Sequence, residues 1–263
     1  VPYNADLNPY WTEFYALKAL YFDVFNKSAV YHYMIWANGY NGGSSSGVSF
    51  GLPASDFIVS LGLWNGSNGG TDSQKVGTFI HELGHNLGLK HGGSNHSNYK
   101  PNYLSVMNYF FQTWGVYRDG SWGGPGNWLN FDYQRFDLPT LDETNLDETV
   151  GLNGGAELNG YGVRFYCNGS NKYALPGDGA IDWNCDGDTT DTGVAMDIND
   201  DGSNGTLAAQ DNWASIRFDG NGVIGSGLPG NMIANQIVQS FTDPQLEELT
   251  YEMMLEMEAT IKR

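Results

Sequence analysis

Apolar and polar positions alternate with two different periods along the first ninety residues. Tyr10, Phe14, Leu17, Tyr21 and Val24 fall on one face of a 3.6-residue repeat, so residues 9–25 are expected as an amphipathic helix, with Asn8 as N-cap and Pro9 in the first helical position. Residues 30–37 (VYHYMIWA) are β-branched and aromatic and read as a strand, with His32 a structural histidine inside it. A polar loop at 38–47 leads to a short strand at Val48-Ser49-Phe50. The nearly all-apolar run 56–61 (DFIVSL) then has the pattern of a central strand covered on both faces. Residues 64–70 read as a glycine and asparagine loop. Thr71-Asp72-Ser73-Gln74 is a capping box opening a second helix, whose buried stripe is expected at Val76, Ile80, Leu83 and Leu87. Periodicity is then lost until Asp243-Pro244 opens a last helix, with Leu246, Leu249, Met253, Met257 and Ile261 inside and Glu247, Glu248, Glu252 and Glu256 outside.

At 263 residues, with 36 glycines and only 16% charged residues, the chain favours a loop-rich globule with a sizeable core. Its net charge of −18 argues against nucleic acid as a partner, because a phosphate backbone needs a basic footprint. No run approaches the length of a membrane span. Val1-Pro2-Tyr3 has neither a basic start nor an apolar leader, which leaves a cytosolic protein or the mature form of a processed one. Cys167 and Cys185 bracket the start of an acidic, glycine-rich segment; a disulfide between them is expected in an oxidising compartment, two buried thiols otherwise.

The chemistry is concentrated in His81–His91 (HELGHNLGLKH), which holds three of the five histidines. Four residues apart on a helix, His81 and His85 share one face and can converge on one ion. A glycine at position 88 permits the left-handed turn that ends a helix and returns His91 toward the same point. Such a set suits Zn²⁺, which takes neutral imidazoles and, in catalytic sites, keeps one position open for water. Glu82, beside the first ligand, is placed to take that water's proton.

His81, Glu82, His85, Gly88 and His91 fill the pattern H-E-x-x-H-x-x-G-x-x-H, which resembles that of the metzincin zinc endopeptidases. Ser105-Val106-Met107-Asn108-Tyr109 is similar to the Met-turn of that clan. The tyrosine two residues after the methionine resembles the astacin and serralysin branches. Gly92-Gly93, where the named families carry a marker residue, leaves the branch undeclared. The resemblance implies His81, His85 and His91 as zinc ligands, Glu82 as general base, Met107 as floor of the site and Tyr109 as a switchable ligand that also stabilises the transition state. It further implies an α+β, metzincin-like (zincin) fold: residues 1–92 as an upper subdomain with a mixed twisted sheet and two helices, and 93–263 as an irregular lower subdomain ending in a helix, together one catalytic domain. Val48, Ser49 and Phe50 would be the edge along which an extended substrate adds as an antiparallel strand. Residues 109–114 would wall the specificity pocket unless they are simply core. His96 is expected exposed and outside the site.

Residues 137–219 hold 16 of the 30 acidic residues and three basic ones, Arg164, Lys172 and Arg217. Within them Asp182-x-Asn184-x-Asp186-Gly187 and Asp197-x-Asn199-x-Asp201-Gly202 each match the first half of a calcium loop, fifteen residues apart. The twelfth position, where an EF-hand closes with glutamate, holds Gly193 and Ala208, so the loops resemble dockerin or thrombospondin-type sites. Asp178, Asp188, Asp191 and Asp211 are candidates to complete the shells. The sequence thus points to a secreted, monomeric zinc endopeptidase acting on protein or peptide and stapled by Ca²⁺. The alternatives are a non-catalytic calcium-dependent adhesion or matrix-binding module, and a zinc hydrolase of a non-protein amide or ester.

Overall fold

In the computed structural model, which describes residues 5–28, 30–217 and 247–260, helix α1 spans Tyr10–Tyr21 and not 9–25. Two local competitions explain its shorter extent. Pro9 is the N-cap and makes no side-chain bond, while the N–H of Asn8 donates to Glu13 Oε2 at 2.9 Å, so Asn8 does not cap. Downstream, Phe22 turns extended, and Asp23 starts a separate short helix, α2 (Val24–Lys27), its carboxylate accepting from the N–H of Asn26. Aspartate offers more as a cap than inside a helix.

The chain divides into two compact units. The first comprises the described residues up to Leu89 and from Ile216 to Met254. Its sheet has the order β1 (Tyr33–Trp36), β3 (Asp56–Val59), β2 (Gly47–Ser49), with β1 parallel and β2 antiparallel to β3. The apolar run expected to be central is central: all four residues of β3 are buried. His32 lies just before β1, half-buried, with the Asn86 side-chain amide 3.0 Å from its Nδ1. Leu7, Tyr10, Phe14, Val48, Phe50 and Ile58 form a core cluster. The segment expected as a loop at 64–70 is one: its first turn, α3 (Trp64–Ser67), holds Asn65 and Gly66 at left-handed φ of +53° and +65°, and buried Trp64 anchors it through its indole N–H on Ser44 O at 2.8 Å.

The buried face of α1 is Tyr10, Phe14 and Lys18, while Tyr21 is exposed. The stripe expected from apolar spacing is overridden by an ion pair. Lys18 Nζ lies 2.5 and 2.7 Å from the two carboxylate oxygens of Asp56, at the start of β3, and both side chains are buried. Burial pushes the Asp56 carboxyl up and Lys18 offsets part of that.

The second unit comprises Lys90–Ser215 and the chain from Leu255. It contains α5 (Tyr109–Gln112), α6 (Asn212–Ser215) and three two-stranded ladders: β4 (Leu141–Asp142) with β9 (Thr206–Leu207), β5 (Leu146–Asp147) with β8 (Thr192–Val194), and β6 (Val163–Cys167) with β7 (Ser170–Ala174). Phe110, Phe111 and Trp183 are fully buried in it. The fold is mixed α+β, and among the described residues no helix is long and apolar enough to cross a membrane. The last helix, α7, runs Tyr251–Ala259; its expected start at Asp243-Pro244 lies outside the described residues, as do Leu246 and Ile261. Leu249, Met254 and Met257 are buried and Glu252 and Glu256 exposed, but Glu248 is buried and precedes the helix instead of lying on its outer face.

Removing one partner of a buried ion pair leaves an uncompensated charge. Lys18→Met is therefore expected to destabilise the protein by about 3–5 kcal/mol in a denaturant titration, and combining it with Asp56→Leu should recover most of that loss.

Candidate metal centre and active site

Helix α4 (Asp72–Asn86) carries the first half of the motif and is fixed at both ends. At its start the Thr71 hydroxyl accepts from the N–H of Gln74 (3.2 Å) and the Gln74 side chain accepts from the N–H of Thr71 (2.8 Å), the capping box expected from sequence. At its end Gly88 takes φ +89°, and the N–H groups of Gly88 and Leu89 donate to His85 O and Gly84 O at 2.8 and 2.9 Å. This is the left-handed exit that a side chain would strain. The buried face of α4 is Gln74, Thr78, His81, Glu82 and His85, with the glycines beside them. Val76, Ile80, Leu83 and Leu87 are only half-buried, so the polar face is more enclosed than the apolar one.

His81 and His85 present their Nε2 atoms to one another at 3.0 Å, with ring planes 87° apart. His85 Nδ1 lies 2.7 Å from Leu89 O. A carbonyl can only accept, so the ring proton sits on Nδ1 and the Nε2 lone pair faces His81. A tetrahedral ion with bonds of about 2.0–2.1 Å sets its ligand nitrogens roughly 3.3 Å apart. The observed spacing is close to that, and a cation between the rings satisfies both lone pairs.

Glu82 is fully buried, and neither carboxylate oxygen has a hydrogen-bond partner among the described residues. Burial, and after it the Glu248 charge, pushes its carboxyl well above the usual range. Gly47 makes room for it: a Cβ there would lie 2.5 Å from Glu82 Oε1 and 2.5 Å from Ile58 O. The Tyr40 hydroxyl donates to Gly47 O at 2.9 Å. Burial pushes that phenol up, and the Glu248 and Glu82 charges add to the rise.

Sequence reasoning missed Glu248. The N–H of Ser46 donates to Leu249 O (2.8 Å) and that of Tyr251 to Ser44 O (3.2 Å), so the chain around Thr250 runs antiparallel to the entry of β2. This pairing brings the Glu248 carboxylate 3.3 and 3.4 Å from His81 Nε2 and His85 Nε2. Ligand atoms of His81, His85 and Glu248 all lie within 4.8 Å of one another. Helical spacing placed Glu248 outside; only the pairing with residues 44–46, some two hundred positions away, could have found it. Of the three residues expected at a substrate edge, Val48 and Ser49 lie in β2, at one end of the strand order, and Phe50 follows it; all three are buried, with the Ser49 hydroxyl on Gly51 O at 2.9 Å.

In the second unit, His91 is buried with its ring 4.6 Å from that of Tyr109, itself buried at the start of α5. His96 is half-buried, 6.3 Å ring to ring from His91, and not the exposed side chain expected. The turn before α5 is built from its own polar groups. The N–H of Asn108 donates to Ser105 O (3.0 Å), that of Met107 to Ser105 Oγ (3.2 Å), and that of Tyr109 to Asn98 Oδ1 (3.0 Å), and Met107 is fully buried. Cys167 and Cys185 form a disulfide. It ties the end of β6 to the loop carrying Asp182, Asn184 and Asp186. Asp197, Asn199 and Asp201 lie on the following loop, while Asp211 is at the start of α6, its N–H on Asp137 Oδ1.

His81, His85 and Glu248 are buried and each offers a ligand atom, so this group of the first unit could bind a metal ion; His91 is likewise buried in the second unit. Residues 36–117, about a third of the chain, match the family model described as Peptidase M66. No curated protein and no solved structure matches the chain. The matched stretch contains the whole of α4, His91 and the Met107 turn, and together with the buried ligand set it supports a metallopeptidase family acting on protein or peptide chains.

Proposed function

We propose that the chain is a secreted, zinc-dependent endopeptidase of metzincin-like fold, in which His81, His85 and His91 hold the metal and Glu82 is the general base. The observation that carries this reading is the pair of buried imidazole nitrogens 3.0 Å apart on α4, beside a carboxylate with no hydrogen-bond donor among the described residues. Zinc, when bound, polarises the scissile carbonyl and acidifies the attacking water. Glu82 takes the proton from that water and returns it to the leaving amine nitrogen. Tyr109 donates its hydroxyl to the oxygen on which charge develops, and Met107 floors the site. The outer strand β2 offers main-chain groups to an extended peptide. Calcium in the acidic loops stabilises the second unit, and the disulfide is compatible with an extracellular location.

Glu248 favours one rival reading. Three histidines and a carboxylate would make a closed, four-coordinate site, which is the structural kind, as in a non-catalytic binding module. Catalysis requires Glu248 to be dispensable for holding the metal.

Incubation with casein should give cleavage that a zinc chelator abolishes and added zinc restores. Glu82→Gln is expected to retain one zinc per chain by metal analysis while kcat falls by about 10²–10⁴-fold; undiminished turnover would refute the mechanism. Tyr109→Phe should lower kcat about 10²-fold or more with metal content unchanged. Glu248→Ala should keep zinc and peptidase activity; joint loss of zinc and of the folded state in a thermal melt would favour the closed reading.

A further inference from the structure

Away from the histidines the sequence repeats a four-residue word: Leu141-Asp142-Glu143-Thr144 is followed, after Asn145, by Leu146-Asp147-Glu148-Thr149. Each copy is joined in the same way to a different acidic loop. β4 of the first copy pairs with β9, the strand leaving the loop that starts at Asp197; β5 of the second pairs with β8, leaving the loop that starts at Asp182. The residue just before each loop donates its N–H to the glutamate carbonyl, Met196 to Glu143 O and Ile181 to Glu148 O, both at 2.9 Å. The glutamate N–H groups reach the far side of the same loops, Glu143 to Gly205 O and Glu148 to Asp191 O, both at 3.0 Å. Within the loops, Gly187 and Gly202 take φ +103° and +87° and donate to Asp182 Oδ2 and Asp197 Oδ2 at 3.1 and 2.8 Å.

The repeat places one buried glutamate against each loop: Glu143 and Glu148 both have 0% exposure. Glu148 Oε1 accepts from the N–H of Asn184 at 3.2 Å, but Oε2 has no hydrogen-bond partner among the described residues. One carboxylate oxygen of Glu148 lies within 4.8 Å of those of Asp188 and Asp191. In the other copy the Glu143 oxygens accept from Ile198 and Gly205 N–H groups, both at 2.8 Å, and the unpartnered buried atom is Asn199 Oδ1. A buried carboxylate oxygen without a donor, held among further carboxylates, is unfavourable unless a cation joins them. Oxygen-only donors around glycine-hinged loops are what a hard divalent cation takes.

We propose that residues 141–207 bind two Ca²⁺ ions in two copies of one unit, each an Asp-x-Asn-x-Asp-Gly loop closed by the glutamate of a Leu-Asp-Glu-Thr segment upstream. Glu148 joins Asp182, Asn184, Asp186, Asp188 and Asp191; Glu143 joins Asp197, Asn199 and Asp201. The inference rests on the reading that the acidic loops take calcium, and it adds what closes them where Gly193 and Ala208 occupy the twelfth positions. The first site has the more carboxylates, since Ser203 and Thr206 stand in the second loop where Asp188 and Asp191 stand in the first, so it binds the tighter ion. The second site has its own consequence. Asn199 Nδ2 donates to Ser97 Oγ at 3.0 Å and Asn98 O at 3.4 Å, and Asn98 Oδ1 holds the N–H of Tyr109, so an ion there steadies the loop that seats Tyr109.

The test is calorimetric titration of the zinc-loaded full chain with CaCl₂, with hydrogen exchange read by mass spectrometry in parallel. The parent chain should take up two ions. Glu148→Gln should weaken the tighter site at least about tenfold and remove calcium-induced protection of residues 182–194 while keeping that of 197–207; Glu143→Gln should do the reverse. Asp188→Asn, at an exposed position, should reproduce the Glu148→Gln result and gives the answer should a Glu148 variant fail to fold. A parent chain that takes up no calcium overturns the acidic-loop reading itself. Two ions bound with parental affinity by both glutamine variants overturn the closure alone. Loss of both ions from either variant overturns the separation into two units.

Discussion

Two imidazole nitrogens and a carboxylate are held out of water on one face of α4, and the first unit is arranged around that burden. Nothing apolar gains from enclosing His81, Glu82 and His85, and leaving such groups without partners is among the more destabilising things a core can do. The helix must therefore be held in place by other means. Its capping box and its glycine exit fix both ends, and β2 and β3 cover the polar face so closely that position 47 admits only glycine. Leu89 O, delivered by the turn at Gly88, sets the tautomer of His85, so a helix-capping feature would also tune how that imidazole holds a metal ion. Local backbone chemistry and site chemistry are here the same hydrogen bonds.

How much of this can be read from the sequence depends on how far apart the partners are. The capping box of α4, its glycine exit and the central strand β3 were legible because each is decided within a few residues. The termination of α1 was not, because Asp23 competes as a cap for a second helix that periodicity ignores. The Lys18–Asp56 pair was missed for a different reason. A lysine in an apolar stripe reads as an interruption until a buried carboxylate 38 positions away supplies its partner. Glu248 is the strongest case: spacing alone assigned it to an outer helix face, and strand pairing at Ser45 and Thr250 puts it on the histidines. The Leu-Asp-Glu-Thr repeat is not legible as a partner of the acidic loops, because it lies far upstream in sequence and meets them only through the β4–β9 and β5–β8 pairings.

The loss of periodicity after His91 has its own physical account. Buried backbone groups must be paired, and in the second unit amide and ammonium side chains pair many that longer strands or helices would have satisfied. Lys100 Nζ donates to Gly92 O at 2.9 Å and Ala208 O at 3.0 Å; Asn102 Nδ2 reaches Pro139 O and Leu207 O; Asn108 Nδ2 reaches Lys100 O and Tyr103 O. Gln134 Oε1 accepts from the N–H of Leu104, and its amide donates to Phe136 O. Each of these side chains is buried, and most of the bonds they make are out of reach of water. Burial lowers the pKa of the Lys100 ammonium to about 8. A segment built this way carries no period of 2 or 3.6 for sequence reading to find. Its irregular loops can nonetheless be as fixed as a helix, and that is what a turn presenting Met107 and Tyr109 at one position requires.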